Sequence, residues 1–188
     1  MSDLSLILHC SPTLANLKTG SLFSAEDSSV AQQVEQWNEQ LNDKDIFVKI
    51  IRQNGKRTVI YVYRKASLEA DLCDKKIQKF LKKYGYKDFS VEGALKRLCE
   101  RMVFYTEFPH EIGVFLSYPL NDILGFVKNK GHNCKLCGMW KVYDDVKAAE
   151  RQFARYEKCR NIYTRLWQSG KTVSQLTVSV RKQSIKLT

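Results

Sequence analysis

The chain has 188 residues, of which 44% are hydrophobic and 27% charged, and its formal net charge is +11. This length fits one domain that buries roughly 70% of its unfolded surface, and the hydrophobic fraction excludes an intrinsically disordered chain. No apolar run approaches the ~18–20 residues that span a bilayer, and we see no secretory signal. Six cysteines in such a chain indicate free thiols, so we expect a cytoplasmic protein.

The charge is unevenly distributed. Residues 1–43 carry one lysine and six acidic residues, whereas residues 44–188 carry 30 basic and 14 acidic residues. Such a field attracts acidic partners, nucleic acid included, although basic residues on the outer face of a helix also serve simply to solvate it. The basic residues concentrate in two stretches, which are Lys75, Lys76, Lys79, Lys82, Lys83 and Lys87, and then Arg151, Arg155, Lys158, Arg160 and Arg165.

The first segment predicts a strand that ends in reactive side chains. An apolar run over residues 4–8 leads to His9 and Cys10, and a polar, turn-prone stretch over residues 11–21 follows. The carboxyl end of a strand is a common place for a site in α/β proteins. We interpret His9 and Cys10 as candidate catalytic residues, with Lys18 as a cation that would lower the thiol pKa from about 8.5. The alternative is a buried structural cysteine beside a hydrogen-bonded histidine.

The loop after this predicted strand carries a candidate anion site. A cation, hydroxyl groups and a flexible glycine follow one another there, which suits a phosphate or a carboxylate. The Gly-x-x-x-x-Gly-Lys pattern of a P-loop is absent. The candidate ligand-binding residues of this loop are Thr13, Lys18, Thr19 and Ser21.

The remaining elements predict an α+β (mixed α/β) fold. Apolar spacings of three and four residues indicate helices, and two β-branched runs around Asn54-Gly55 indicate a hairpin. We predict helices over residues 25–41, 68–84, 91–104, 111–116, 120–130 and 145–168, and strands over residues 4–8, 46–51, 58–63 and 135–143. We therefore expect a single domain over residues 1–188, with a small mixed sheet of about four strands packed by about six helices. Residues from about 171 onward are expected to be loosely packed.

A second candidate site lies at the start of the predicted helix 111–116. Proline suits the first turn of a helix, so Pro109 places His110 and Glu111 beside free backbone N–H groups. The helix dipole there favours an ionised carboxylate and a neutral imidazole. We therefore treat His110 and Glu111 as candidate catalytic residues. The alternative for Glu111 is that it only complements the dipole.

The third candidate site is the predicted strand 135–143. Cys134 and Cys137 form a Cys-x-x-Cys pair, but no second pair lies at zinc-finger spacing, and we predict no metal site. Trp140, Lys141 and Tyr143 follow this pair and are candidate ligand-binding residues. The alternative is that the aromatic side chains only fill the core.

Three motifs resemble a bacterial family known as domain of unknown function 3793, which occurs mainly in clostridia and other anaerobes. They are residues 8–15 with 18–23, residues 108–116 and residues 137–143, and residues 153–160 resemble the family's long helix. The resemblance spans almost the whole chain and implies a link to iron and redox metabolism, because family members occur near flavodoxin and iron-uptake genes. His132 and Cys134 fall outside the family pattern. The family pattern includes His9, Cys10, Lys18, His110, Glu111, Trp140 and Lys141.

These observations lead to three hypotheses. The first is a protein that handles a small anionic ligand or cofactor, such as haem, iron or a phosphate-bearing molecule, in one site built from the three candidate regions. Lys18 and Lys141 would contact haem propionates or a phosphate, and an acidic electron carrier such as flavodoxin would dock on the basic surface. The second is a non-catalytic adaptor that binds another protein. The third is a nucleic-acid-associated protein that uses the two basic stretches. The sequence leaves open whether the protein is an enzyme.

Overall fold

The computed structural model describes residues 2–26, 29–55, 57–104 and 108–179. The α+β prediction is confirmed. The helices in these ranges are α1 Asp3–Leu14, α2 Val30–Leu41, α3 Lys65–Cys73, α4 Lys75–Lys82, α5 Val91–Phe104, α6 Ile112–Phe115, α7 Leu120–Lys128, α8 Val146–Gln168 and α9 Val173–Leu176, with a 3₁₀ turn at Asn42–Lys44. The strands are β1 Gly20–Ala25, β2 Ile46–Asn54, β3 Arg57–Arg64, β4 Leu136–Cys137 and β5 Lys141–Val142. No helix in the described ranges has the length and apolar character needed to cross a membrane.

The larger sheet is antiparallel, with β3 between β1 and β2. The predicted hairpin forms β2 and β3, and Gly55 at its turn has a φ of +56°, which glycine adopts without steric cost. Gly20 opens β1 opposite Tyr63. A side chain at Gly20 would collide with the Tyr61 ring and with the Phe115 carbonyl, so the close approach of this strand requires glycine.

Helices cover both faces of this sheet. Successive residues of a strand point to opposite faces. Accordingly, Tyr61 and Tyr63 pack with the helices α3 to α7, whereas Ile60 and Val62 pack with α1, α2, α8 and α9. The β4–β5 hairpin and α8 enclose a third, smaller apolar cluster around Trp140.

The N-terminal segment is a helix, so the strand predicted over residues 4–8 was wrong. Its polar residues are part of the helix: Ser11 Oγ donates to the Ile7 carbonyl, and Pro12 lies in the last turn, where the loss of one N–H interrupts little of the helix. The prediction failed because the polar residues that follow His9 and Cys10 are typical of a loop. The buried apolar residues recur at helical spacing and are Leu6, Ile7, Cys10 and Leu14.

Other predicted elements differ in extent. The helix predicted over residues 68–84 is divided into α3 and α4, because Asp74 has an extended backbone and its carboxylate accepts N–H groups of the first turn of α4. The strand predicted over residues 135–143 is the β4–β5 hairpin. The segment after residue 171 packs through α9, with Val173 and Leu176 buried, and residues 180–188 lie outside the described ranges.

Candidate functional site

Asp122 joins helix α7 to the β4–β5 hairpin. It is only 3% exposed, and its carboxylate accepts hydrogen bonds from the Trp140 indole (2.8 Å) and from the backbone N–H groups of Tyr143 (2.8 Å) and Asp144 (3.0 Å). Sequence reasoning missed this residue. Its only signal is an acidic side chain in the first turn of a helix, which usually indicates no more than a favourable interaction with the dipole.

Beside this junction lies a pocket of about 250 Å³, enclosed by α6, α7, the hairpin and the segment before α6. Lys141 and His110 border it: Lys141 Nζ donates to the Gly131 carbonyl at 2.7 Å, and the His110 ring lies 5.0 Å from the Phe126 ring, centroid to centroid. An apolar cavity with a few placed polar groups suits a small molecule. The apolar part of the wall comprises Phe108, Ile112, Tyr118, Ile123, Phe126 and Trp140.

Three of the predicted site residues, His110, Trp140 and Lys141, meet at this pocket. Trp140 is 8% exposed, and its ring packs edge-on against Phe153, as a core residue does. The same ring also lines the pocket, as a candidate ligand-binding residue would. Tyr143 is anchored behind the pocket through its backbone N–H, and its hydroxyl is buried without a hydrogen-bond partner among the described residues.

Glu111 follows His110 in the chain but does not line the pocket. It is completely buried, and its carboxylate accepts from Arg101 Nε at 2.5 Å, from a second guanidinium nitrogen of Arg101 at 3.3 Å and from the Tyr86 hydroxyl at 3.5 Å. Because Glu111 forms this buried ion pair, the structure does not place it beside His110 as an open catalytic carboxylate.

His9 and Cys10 also lie away from the pocket. Cys10 is completely buried on the inner face of α1, and burial raises the pKa of its thiol far above the ordinary value. His9 is exposed on the outer face and stacks on the Phe23 ring at 5.4 Å; burial of part of its ring and the charge of Arg160 lower its pKa. The reactive thiolate expected at Cys10 does not fit this placement, which corresponds to the structural alternative.

The predicted anion loop is divided between the core and a second cavity. Thr13 and Ser21 are buried and hydrogen-bond each other at 2.9 Å, and Ser21 belongs to β1. Lys18 and Thr19 line an open, polar groove of about 450 Å³ beside α3 and α8. The four residues therefore do not form one phosphate-binding loop.

Aromatic contacts connect the polar groove to the pocket. Lys18 Nζ lies 5.6 Å from the centroid of the Tyr118 ring and 5.9 Å from that of Tyr156. Tyr118 stacks in turn on Trp140, with ring centroids 5.0 Å apart. The first and third candidate regions thus come close to each other through Lys18 and Trp140.

Arg64 is a second residue that sequence reasoning missed. It is completely buried at the end of β3, and its guanidinium donates to the carbonyls of Thr13 (2.7 Å), Leu14 (2.7 Å), Val178 (2.8 Å) and Lys44 (3.3 Å). Its positive charge lies at the C-terminal, negative end of the α1 dipole. Arg64 thereby positions the end of α1, which leads into the polar groove.

Within the described ranges, no group of three His, Cys, Asp or Glu side chains is arranged to hold a metal ion. All six cysteines are free; Cys137 is exposed and Cys134 half-buried.

Fold and site together define an α+β protein with an apolar pocket beside the β4–β5 hairpin and a polar groove behind it. The family described as "Protein of unknown function (DUF3793)" matches residues 6–177 of the chain. The protein belongs to this family, as its three motifs indicate. The comparisons with curated proteins and with solved structures gave no match.

Proposed function

We propose that this protein binds a small molecule with an apolar, ring-containing body and an anionic group in the pocket bordered by Lys141. The observation that carries the proposal is the wall of the pocket, where aromatic and aliphatic side chains surround about 250 Å³ and one ammonium group lies at the border. Aromatic side chains favour a flat body, and the ammonium group favours an anion.

The charges around the pocket support an anionic ligand. The carboxylate of Asp122 is already engaged by three N–H donors, so it offers little to a cationic ligand. Lys141 uses one of its three N–H groups on the Gly131 carbonyl, which holds the ammonium group near Phe126 and leaves two donors for a ligand.

Among the cofactor classes considered above, a phosphate-bearing molecule with a ring system combines these two features. The wider link to iron and redox metabolism is part of the proposal and rests on the family resemblance. A cytoplasmic location is also part of the proposal, and the six cysteines of the chain support it, because thiols persist in a reducing compartment.

Lys141→Met is expected to weaken binding of 8-anilinonaphthalene-1-sulfonate, an aromatic anion, by about 10-fold. A charge-assisted hydrogen bond at a partly open site contributes about 1.5 kcal/mol, and 1.4 kcal/mol corresponds to tenfold in affinity. Fluorescence titration measures both this probe and its uncharged relative N-phenyl-1-naphthylamine, whose affinity we expect to stay within about twofold. Lys147→Met, at an exposed position of α8, is the matched control.

A further variant locates the probe. Phe108 is 45% exposed at the border of the pocket, so Phe108→Ala should weaken binding of both probes without unfolding the protein. If Lys141→Met and Lys147→Met changed the affinity for the sulfonate equally, or if Phe108→Ala changed neither probe, the proposed binding site would be wrong.

A second candidate function is the docking of an acidic protein such as flavodoxin. Its supporting observation is that all eleven basic residues of the two stretches defined above are exposed. We expect such binding to weaken steeply between 50 and 300 mM salt (roughly the range over which screening sets in) and to persist in Phe108→Ala. Surface plasmon resonance with immobilised flavodoxin measures it. Binding that is absent at low salt, or that equals binding to duplex DNA, would count against this function.

A further inference from the structure

The polar groove behind the pocket contains an amine with an unusual environment. Lys18 lies in the segment between α1 and β1, and its Nζ lies over the rings of Tyr118 and Tyr156. Among the described residues, the Lys18 ammonium group contacts these two rings and makes neither an ion pair nor a side-chain hydrogen bond. The Lys18 side chain is half-buried. The groove nevertheless leaves the amine open to a small molecule.

We propose that Lys18 is a reactive amine that forms an imine with a small hydroxylated aldehyde or ketone bound in the polar groove. This site is separate from the pocket of the proposed function, because the two cavities have no lining residue in common. The polar character of the groove selects the substrate class. Ser67, Ser117 and Gln152 present hydroxyl and amide groups that can hydrogen-bond a hydroxylated body.

Lys18 is reactive because its ammonium form loses contacts with water and gains no carboxylate partner among the described residues. Burial lowers the pKa of Lys18 to about 8. The rings attract an ammonium ion and oppose this shift only in part. At pH 7.5 roughly a quarter of such an amine is neutral, compared with roughly 0.1% of an exposed lysine. Only the neutral amine is a nucleophile.

The groups around Lys18 keep this environment uncharged near neutral pH, with one exception. The pKa values of Cys10, Tyr118 and Tyr156 are all raised by burial, so these side chains stay protonated. The exception is Asp71, which lines the same groove and whose carboxylate accepts a hydrogen bond from Thr19 at 2.7 Å.

The proposed reaction balances without an oxidant or a reductant. The Nζ lone pair adds to the carbonyl carbon, the nitrogen loses one proton and the carbonyl oxygen takes one up, which gives a carbinolamine. The nitrogen then loses its second proton, the hydroxyl group takes up a proton and leaves as water, and a carbon–nitrogen double bond forms. The Ser117 hydroxyl accepts the Thr19 N–H at 2.7 Å, so its own hydrogen remains available to the carbonyl oxygen.

Reductive trapping tests the proposal on the intact protein. Glycolaldehyde is added with cyanoborohydride, and peptide mass spectrometry measures the labelling rate of each lysine from pH 6.5 to 10. We expect Lys18 to be labelled at least 20-fold faster than exposed Lys147 at pH 7, and the ratio of the two rates to fall as pH rises through about 8. The pH dependence of cyanoborohydride reduction affects both lysines alike and therefore cancels in the ratio of their rates. Equal rates at the two lysines would overturn the proposal.

Two variants separate this site from its alternatives. Ser67→Ala, which removes a groove hydroxyl that has no role at the carbonyl oxygen, should lower the glycolaldehyde rate at Lys18 several-fold and leave the rate with benzaldehyde, which lacks hydroxyl groups, nearly unchanged. A faster reaction with benzaldehyde than with glycolaldehyde in the wild-type protein would contradict the proposed substrate class. Phe108→Ala should leave labelling of Lys18 unaffected, so failure of the pocket proposal does not affect this test.

Discussion

Arg64→Leu is expected to lower the free energy of unfolding by about 3–5 kcal/mol. The guanidinium is completely buried and donates to four carbonyls from three separate parts of the chain: the end of α1, the 3₁₀ turn and the segment after α9. A leucine fills part of the volume but removes all four hydrogen bonds, and within the described residues only the carbonyls of Thr13 and Leu14 keep a backbone donor, from Asn16 and Val178 respectively. It also removes the positive charge that complements the C-terminal end of the α1 dipole.

Urea denaturation followed by circular dichroism measures this loss. Arg64→Lys should recover only part of it, because an ammonium group cannot reproduce the planar fork of a guanidinium. Arg160→Leu is the control, since Arg160 is exposed and its ion pair with Glu157 spans 4.0 Å. We expect that control to change stability by less than about 0.5 kcal/mol. A loss below 1 kcal/mol for Arg64→Leu would show that Arg64 does not organise these segments.

Arg101→Met is expected to destabilise the protein by about 3 kcal/mol, because it leaves the completely buried carboxylate of Glu111 without its cation. The only other hydrogen bond to that carboxylate, within the described residues, is the one from Tyr86 at 3.5 Å. Such a loss of stability would identify Glu111 as a structural residue. The sequence had instead indicated a catalytic role, because Glu111 follows His110.

A double variant tests whether removal of both charges of this ion pair restores stability. Replacing both Arg101 and Glu111 by methionine should recover most of the lost stability, because two apolar side chains of similar volume need no charge compensation. Glu100→Gln is the matched control: its pair with Arg97 is partly exposed, and its loss should cost less than about 1 kcal/mol. If the double variant were no more stable than Arg101→Met, the pair would not be the cause.

The elements that were predicted correctly carry their signals within a few residues. The β2–β3 hairpin follows from two β-branched runs around Asn54-Gly55. Helix α5 begins after Ser90, whose hydroxyl accepts the Gly93 N–H at 3.0 Å, and it covers the predicted residues. Such local patterns require no knowledge of the rest of the chain.

The errors concern residues whose neighbours in the folded protein are distant in sequence. Ser11 and Thr13 are typical of a loop, yet both are buried in α1, and Thr13 is paired with Ser21 of β1. The sequence does not indicate the buried contacts of Asp122 and Arg64, because an acidic residue in a first helical turn, or an arginine at the end of a strand, is ordinarily solvated. Their partners come from segments that only folding brings near.

The sequence by itself determined most helices, the hairpin, the family and three candidate site regions. The tertiary structure decided which of those side chains share a cavity. His9 and Cys10 are neighbours in the chain, but consecutive helical residues point about 100° apart, so one is exposed and the other lies in the core. His110 and Lys141 are distant in sequence and meet because Asp122 fixes the hairpin against α7. Burial and long-range hydrogen bonds, which no local pattern encodes, therefore placed the candidate site.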